Sequence, residues 1–491
     1  MLFEDTTADV AMNALVKSVD KRPPNISLES MHTLKKVYDN LGDPRRNPSM
    51  SDRVYNSRVE CWTPVGMAKL VVDKVAALTY GKAVKRSSGI SGVVGSKIDA
   101  AYKGTRGSFI RLSKMASLAG YAAVRVRRAW DGSYSFSVYG FDEVEPILDP
   151  SDPHGKVNGI VFTTLVEDLP SWVWKLNPNL KKRKVYRFKE MVTRHLRDES
   201  GEIIVPGMNV HFVDGKRINN MTGGFNPLGD YIGAVWWRGM DHPFNPWGAS
   251  DVIPLMQTLD AINELLTDGR ELVVWGIHSP VFTNVQGVLD WKYGPRSVWQ
   301  PTGSTVGDSA PFVKRLETGT AGLQDLKSFL EILLKLFHQF SRIPSVSLGD
   351  MEGAGAASSG RAFEIAMTPA KELIAEKENS FVPQEEELMR ELYAKMVYYE
   401  DVVGETYELF GFNMPDAFSV NDALAAVSIE FTPMTFPQEV IAESLSGQVN
   451  AGIRSRKNAV ERLHPSWDEN QVDTEIQTII VDMNQKGNAA E

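Results

Sequence analysis

Residues that could bind a phosphate or act on a substrate are most concentrated in a glycine-rich segment, residues 345–360. The segment contains two carboxylates, Asp350 and Glu352, but it lacks the Gly-Lys-Ser/Thr sequence with which a P-loop holds phosphate. Its glycine spacing does not match the dinucleotide-binding fingerprint either. Glycines and small side chains favour a mobile connection over a helix or strand. We therefore expect an acidic, mobile loop here and no nucleotide site.

The other reactive residue types form no catalytic or metal-binding pattern. None of the eight histidines has a His or Cys partner at ligand spacing. The single cysteine, Cys61, excludes an intrachain disulfide, fits a reducing compartment and is expected to be a small buried hydrophobic side chain. Three consecutive glutamates, residues 385–387, are expected to form a solvated helix face. We predict no catalytic residue, no metal site, no cofactor and no enzymatic activity.

Composition describes an ordinary globular protein of two or three domains. The chain has 491 residues, of which 43% are hydrophobic and 23% charged. Its formal net charge of −9 argues against tight binding of nucleic acid over the whole surface. The same charge is compatible with a protein that handles DNA without adhering to it. We expect no signal peptide and no membrane span.

Two long helices flank the acidic loop. Residues 322–343 have apolar side chains over more than half of the helix circumference, so we expect neighbours to enclose this helix. Pro344 ends it. A second helix is predicted from about residue 359 to residue 400, with bends at Pro369 and Pro383.

The remaining patterns predict an α+β protein. A helix is expected from Thr63-Pro64 to Gly81, because threonine and proline favour a helix start. Alternating residues and Asp-Gly turns predict a mainly antiparallel β region over residues 120–240. Ser250-Asp251 should cap a helix reaching about Val274, followed by a small β module at 278–318. A strand at 427–431 and a helical tail complete the chain.

This order of segments resembles the tailed-bacteriophage portal proteins, the head-to-tail connectors, especially the siphophage type. Each segment that carries the resemblance is short and degenerate, and the weight comes from their order. They are Met67–Gly81; Gly120–Ala123 with the Asp131-Gly132 turn and Phe141–Ile147; Gly248–Asn263; Ser359–Ala362; and Gly452–Ser455 with Pro465 and Asp473–Glu475.

The resemblance implies a portal fold with a defined division of the chain. The parts are a mixed α/β wing at 1–246, a first stem helix at 247–277, a β-rich clip at 278–319, a second stem helix at 320–343, a tunnel loop at 344–358, a long kinked wing helix at 359–402, a wing return strand at 403–437 and a helical crown at 438–491. Residues 1–60 match nothing recognisable in the family.

The resemblance also implies function, partners and site residues. A dodecameric ring at one capsid vertex would conduct double-stranded DNA without reading its sequence, in contact with the terminase large subunit, major capsid and scaffold proteins and, later, a head-tail adaptor. The protein would be assembled in the bacterial cytoplasm and reside in the virion. The implied site residues are Val346, Ser347, Leu348, Asp350, Met351 and Glu352 in the tunnel loop; Phe282, Asn284, Trp291, Trp299, Lys314 and Arg315 in the terminase- and adaptor-facing clip; and Leu326, Phe329, Leu333, Phe337 and Phe340 at the subunit interface of the stem.

Two other functions stay open at this level. The main alternative is an enzyme whose pocket lies between the β region and the long helices and uses loop carboxylates such as Asp350 and Glu352. Another ring-forming virion protein, such as a neck adaptor, is a third possibility, against which the length of the chain and the β module between two helices argue.

Overall fold

The computed structural model of the chain describes most of the β region and the long helices. The described residues are 28–41, 52–149, 157–167, 171–177, 185–197, 200–219, 222–242, 247–277, 281–283, 313–315, 321–348, 365–399, 405–409, 411–432, 449, 455–463 and 469–488. Of the predicted site residues, Asn284, Trp291, Trp299, Asp350, Met351 and Glu352 lie outside these ranges.

The described chain mixes helices and antiparallel strands, as the sequence predicts. The helices are α1 Leu28–Tyr38, α2 Asp52–Cys61, α3 Met67–Thr79, α4 Gly92–Tyr102, α5 Arg106–Ala119, α6 Ser171–Leu176, α7 Met256–Ile277, α8 Ala321–Ser341, α9 Thr368–Tyr398, α10 Ala417–Ala423, α11 Arg456–Leu463 and α12 Glu469–Asn488. The strands are β1 Val84–Ser87, β2 Tyr121–Arg128, β3 Tyr134–Tyr139, β4 Val144–Leu148, β5 Val157–Val166, β6 Tyr186–Thr193, β7 Leu196–Arg197, β8 Ile203–Val205, β9 Asn209–Val213, β10 Lys216–Ile218, β11 Ala234–Arg238, β12 Val281–Thr283, β13 Val313–Arg315, β14 Thr406–Leu409, β15 Phe412–Pro415 and β16 Ser428–Phe431.

The chain divides into two compact units. The first contains Met1–Leu34, Leu70–Ile253 and Ser341–Glu491, and the second contains Lys35–Lys69 and Pro254–Phe340. The first unit therefore contains the β region and α9, whereas the second contains α2, α7 and most of α8. Within the described residues, no helix is long and apolar enough to cross a membrane.

The β region consists of two larger antiparallel sheets. One has three strands in the order β11-β2-β3, and the other has five in the order β10-β9-β6-β5-β4. The predicted Asp131-Gly132 turn joins β2 to β3, and Asp214-Gly215 joins β9 to β10. Both Asp-Gly predictions are confirmed, because the local turn signal specifies which strands pair.

The main core of the first unit lies between helices and the three-stranded sheet. Four large aromatic side chains on α5, β11, α9 and the end of α3 form its centre. Tyr80 and Phe109 have ring centroids 5.4 Å apart, and Trp237 and Phe381 have centroids 5.6 Å apart. Gly120, with φ 95°, ends α5, and its N–H donates to Ala116 O. This left-handed end turns the chain directly into β2.

Charged side chains of α9 reach into this core rather than into solvent. The Glu385 carboxylate is fully buried and accepts two hydrogen bonds from Arg86, at 2.7 and 2.6 Å, and one from Tyr80 Oη at 3.0 Å. Lys377, also fully buried, pairs with Asp251 at 2.8 Å. The prediction of a solvated glutamate face is therefore wrong for Glu385. Its partner Arg86 lies about three hundred residues earlier in the chain, which a local pattern does not reveal.

One predicted helix start is displaced in the structure. Residues 63–66 are not helical, and α3 begins at Met67. The Thr63 N–H donates to Thr267 Oγ1 and the Val65 N–H donates to Asn263 Oδ1, so α7 binds this backbone in an extended form. Helix α9 spans Thr368–Tyr398 and has Pro369 in its first turn, after helical residues at 365–366 and a turn at Met367; residues 359–364, where the long helix is predicted to begin, lie outside the described residues. Pro383 lies inside α9 as predicted.

Candidate subunit interface

Helix α8 has one apolar line that its own chain buries. Leu333 and Phe337 are buried, and Leu326 and Leu330 are half-buried on the same side of the helix. The spacing of three and four residues places these side chains above one another. This line therefore belongs to the core of a single subunit.

A second apolar line on α8 remains exposed. Phe329, Ile332 and Phe340 expose 51%, 52% and 63% of their surface, and half-buried Leu336 lies between them. At 100° per residue, this line is displaced by roughly 90° from the buried one. The expectation that neighbours enclose α8 is therefore not met within one chain, where a contiguous row of large apolar side chains faces water.

The five predicted stem residues divide between these two lines. Leu333 and Phe337 are already buried by their own chain, and Leu326 is half-buried beside them, which leaves Phe329 and Phe340 available to a neighbour. The sequence analysis did not include Ile332, although its spacing of three residues from Phe329 is the signal that would have identified it.

Helix α7 is fixed by polar contacts from the segment that precedes α3. Arg58 pairs with Asp268 at 2.9 Å, and Arg270 donates to Cys61 O at 3.2 Å. These contacts add to the two backbone hydrogen bonds that α7 side chains accept from residues 63 and 65. Residues 52–65 thus act as a strap along α7, and residues 52–60 belong to the segment in which the sequence matched no family feature. Near its end, Leu272 and Val273 are 37% and 46% exposed.

The predicted tunnel loop begins with a fixed segment. Arg342, with φ 55°, ends α8, and a 3-10 helix follows at Ser345–Leu348. Lys74 Nζ on α3 donates to Ser347 O at 2.5 Å. Val346 is buried, whereas Ser347 and Leu348 are half-buried. The Val346 side chain is buried by its own chain and anchors this segment in the protein interior, and the lining of a channel by this loop stays a prediction.

The predicted clip contains a described two-stranded ribbon. Strands β12 and β13 pair antiparallel, with Phe282 opposite Lys314 and Val281 opposite Arg315. A β element between α7 and α8 agrees with the sequence prediction.

A cavity lies between the β region and α9, whereas Asp350 and Glu352, the loop carboxylates of the enzyme alternative, lie outside the described residues. The cavity has a volume of about 330 Å³, and its walls include Arg194, Asp230 and Glu391. Burial raises the pKa of the Glu391 carboxyl to about 7, although Arg194 beside it acts in the opposite direction. Glu391 already accepts hydrogen bonds from the Ile232 and Gly233 N–H groups and from Arg194. These bonds give Glu391 a structural role in joining α9 to the sheets.

A second buried ionisable group lies on the same helix. Burial lowers the pKa of Lys395 to about 7, and nearby Arg125 contributes in the same direction. Lys395 Nζ donates to Val126 O at 2.7 Å, so the side chain ties α9 to β2. Across the described ranges, no group of three or more His, Cys, Asp or Glu side chains is arranged to hold a metal ion.

Comparison with solved structures finds similar chains in gene transfer agent particles. No protein-family model matches the sequence, and no curated protein matches it. One structural match is a chain from the virion of a native gene transfer agent (GTA) particle, with a TM-score of 0.39, 14% identity and coverage of 88% of this chain and 98% of that one. A chain from the neck of an empty GTA particle computed with C6 symmetry matches with a TM-score of 0.40 and 12% identity, and the match covers 87% of this chain and 97% of that one. A chain from the neck of a native GTA particle computed with C12 symmetry matches with a TM-score of 0.40 and 11% identity, and the match covers 87% of this chain and 98% of that one. At these TM-scores and identities, the matches establish neither fold nor function for this chain.

Proposed function

We propose that this protein is a portal protein of a tailed-phage type, a ring of about twelve subunits at one capsid vertex. The single observation that carries the proposal is the exposed apolar line on α8, formed by Phe329, Ile332, Leu336 and Phe340. A soluble chain that leaves such a line uncovered needs a partner surface, and a second copy of the same chain can supply it.

The geometry of the second unit favours a head-to-tail contact. Besides the exposed line on α8, this unit exposes Leu272 and Val273 on α7. In the proposed assembly each copy presents the α7 side chains to one neighbour and the α8 line to the other, and such a heterologous contact forms a ring when the rotation between subunits closes. The strap at 52–65 holds α7 in place for this contact.

The order of the described elements supports the portal assignment over other rings. A β region precedes α7, a two-stranded ribbon lies between α7 and α8, and residues 342–367 connect α8 to the long α9. A return strand, β16, and helices α11 and α12 follow. This order corresponds to wing, stem, clip, stem, tunnel loop, wing helix and crown.

The proposed role is to conduct double-stranded DNA during packaging and ejection. Each subunit has 53 Lys and Arg against 62 Asp and Glu, so a ring carries an excess of negative charge that opposes retention of the duplex. Leu348, Asp350, Met351 and Glu352 are the proposed channel-facing residues, and Ser347 is their attachment point. The clip, including Phe282 and Lys314, would bind the terminase large subunit and then a head-tail adaptor, and the wing would contact capsid and scaffold proteins.

Packaging by a loop charge variant tests this role. Asp350→Lys/Glu352→Lys should form rings but reduce the amount of nuclease-resistant DNA per particle, because cations at the constriction would bind passing phosphates. Glu408→Lys/Asp422→Lys, at two exposed acidic residues, makes the same change in formal charge and should package normally. Normal packaging by the loop variant would contradict the proposed channel.

The alternative function is an enzyme that uses the cavity beside α9, and the raised pKa of Glu391 is the observation that favours it. It predicts a monomer or small oligomer that binds a small molecule in this cavity. Closed rings without such a ligand would exclude it.

A further inference from the structure

A tryptophan at the tip of the β2–β3 hairpin is fully exposed. Trp130 has a relative exposure of 106%, the highest of the large apolar residues that the structure describes. Tryptophan is usually well buried, and exposed tryptophans concentrate at protein interfaces. Trp130 therefore requires an explanation beyond the fold of its own subunit.

The hairpin tip holds Trp130 in a defined position. Ala129 N–H donates to Ser133 O at 2.8 Å, and Asp131 Oδ1 accepts from the backbone N–H and the hydroxyl of Ser133 at 3.0 and 2.7 Å. Hydrogen bonds to Ser133 lower the pKa of the Asp131 carboxyl, which keeps it ionised at neutral pH. The tip therefore presents an indole ring next to a carboxylate.

A cavity with complementary properties lies on the five-stranded sheet of the same unit. It has a volume of about 650 Å³, which is within the range of ligand pockets. Register places Leu165 opposite Arg187 and Val161 opposite Met191, so their side chains alternate onto one face of β5 and β6. Buried Val161 and Met191 form part of the floor, and Leu165, 72% exposed, stands at the side.

The wall of this cavity has an excess of positive charge. Arg187 and Lys189 lie among the lining residues, together with one carboxylate, Asp214. Asp214 Oδ1 accepts a hydrogen bond from the Arg187 N–H at 3.1 Å, so its position is set by the backbone. An apolar floor with two cations at the side suits an indole ring accompanied by a carboxylate, because the cations can pair with the carboxylate and stack over the ring.

We propose that Trp130 and Asp131 of one subunit insert into the sheet cavity of the next subunit. Trp130 is fully exposed on its own chain, so the cavity of that chain does not hold it. Tip and cavity are different surfaces of one subunit, so the contact is head-to-tail and repeats around a ring. This inference rests on the proposed ring and adds to it a second contact, in the wing, that is independent of α8.

A double-mutant cycle tests the pairing of the two surfaces. Trp130→Ala removes the indole and Leu165→Glu places a carboxylate at the side of the cavity, opposite the incoming Asp131. Each single variant should raise the dissociation constant of the subunit contact by about 30-fold, as for interface tryptophans in general. Because both changes remove the same contact, the dissociation constant of the double variant should be no higher than that of the more strongly affected single variant.

Matched controls exclude general effects of altering exposed apolar residues. Phe418→Ala and Ile204→Glu change residues that are 71% and 64% exposed elsewhere in the unit, and both should leave ring stability unchanged. Ring stability is measured as the fraction of rings against protein and urea concentration by native mass spectrometry, and circular dichroism confirms that each monomer is folded.

The outcomes separate this inference from the proposed function. Rings of Trp130→Ala as stable as those of Phe418→Ala, or multiplying effects in the double variant, would overturn the pairing and leave the portal proposal in place. A wild-type protein that forms no rings would overturn the portal proposal and this inference with it.

Discussion

Replacing Phe329, Ile332 and Phe340, on the exposed apolar line of α8, with serines should dissociate the ring into subunits without unfolding them. Fully burying a Phe or Ile side chain contributes about 1.5–3 kcal/mol. Phe329, Ile332 and Phe340 each have about half of their surface still exposed, so burial against a neighbour would contribute about 1 kcal/mol per residue. The triple variant should therefore lose about 3 kcal/mol per contact, or about a hundredfold in the dissociation constant. Sedimentation velocity across protein concentrations measures this shift.

Two comparisons make the result interpretable. Gln324→Ser/Lys327→Ser/Lys335→Ser alters three exposed residues on the polar side of the same helix and should leave the rings intact. Phe337→Ala, at a fully buried residue, should instead destabilise the subunit by about 3–5 kcal/mol. The reasoning is refuted if the triple serine variant at positions 329, 332 and 340 assembles like the wild type, or if its monomer unfolds as Phe337→Ala does.

Two further predictions concern the buried cations. The pKa of Lys395 is about 7 in the folded chain, against 10.5 ordinarily. Burial of this lysine therefore costs no protonation free energy above pH 10.5, and the unfolding free energy decreases as the pH falls from 10.5 to 7. Relative to wild type, the unfolding free energy of Lys395→Met should therefore increase by about 2–3 kcal/mol when the pH is lowered from 9 to 6. Lys85→Met, at an exposed lysine, should show no such increase. Urea denaturation at the two pH values measures both, and equal increases in the two variants would contradict the prediction. Lys74→Met removes the bond to Ser347 O and should speed hydrogen exchange at 345–348 by about tenfold; unchanged exchange relative to Lys69→Met would show that the bond contributes nothing.

Local sequence signals predicted the elements that local physics determines. The Asp131-Gly132 turn specified a hairpin, and Ser250 was recognised as a cap. In the structure, Ser250 Oγ accepts from the Val252 and Ile253 N–H groups at 3.0 and 3.1 Å, next to a 3-10 helix at Ile253–Leu255, and α7 itself begins at Met256. The end of α5 at Gly120 and the β ribbon between α7 and α8 were likewise predictable.

Interactions between distant parts of the chain account for the errors. Glu385 looked like a surface residue because neither Arg86 nor Tyr80 is near it in sequence. The start of α3 moved to Met67 because side chains of α7 bind the preceding backbone. Trp130 lies in the alternating pattern that leads into the Asp131-Gly132 turn, and its full exposure depends on the tertiary structure.

The candidate site was only partly predictable for the same reason. Helical spacing identified α8 as apolar over most of its circumference, but it could not show which apolar line the chain itself buries. The structure separates Phe337, which is fully buried, from Phe340, which is 63% exposed. The sequence predicts only that neighbours enclose α8, whereas the structure identifies which of its side chains are exposed and could contact a second subunit.

The mass and symmetry of the purified protein test the central claim most directly. Native mass spectrometry with negative-stain imaging should show closed rings of about twelve identical subunits around a central hole. A monodisperse monomer or dimer under several salt concentrations would contradict the portal proposal and favour the enzyme alternative.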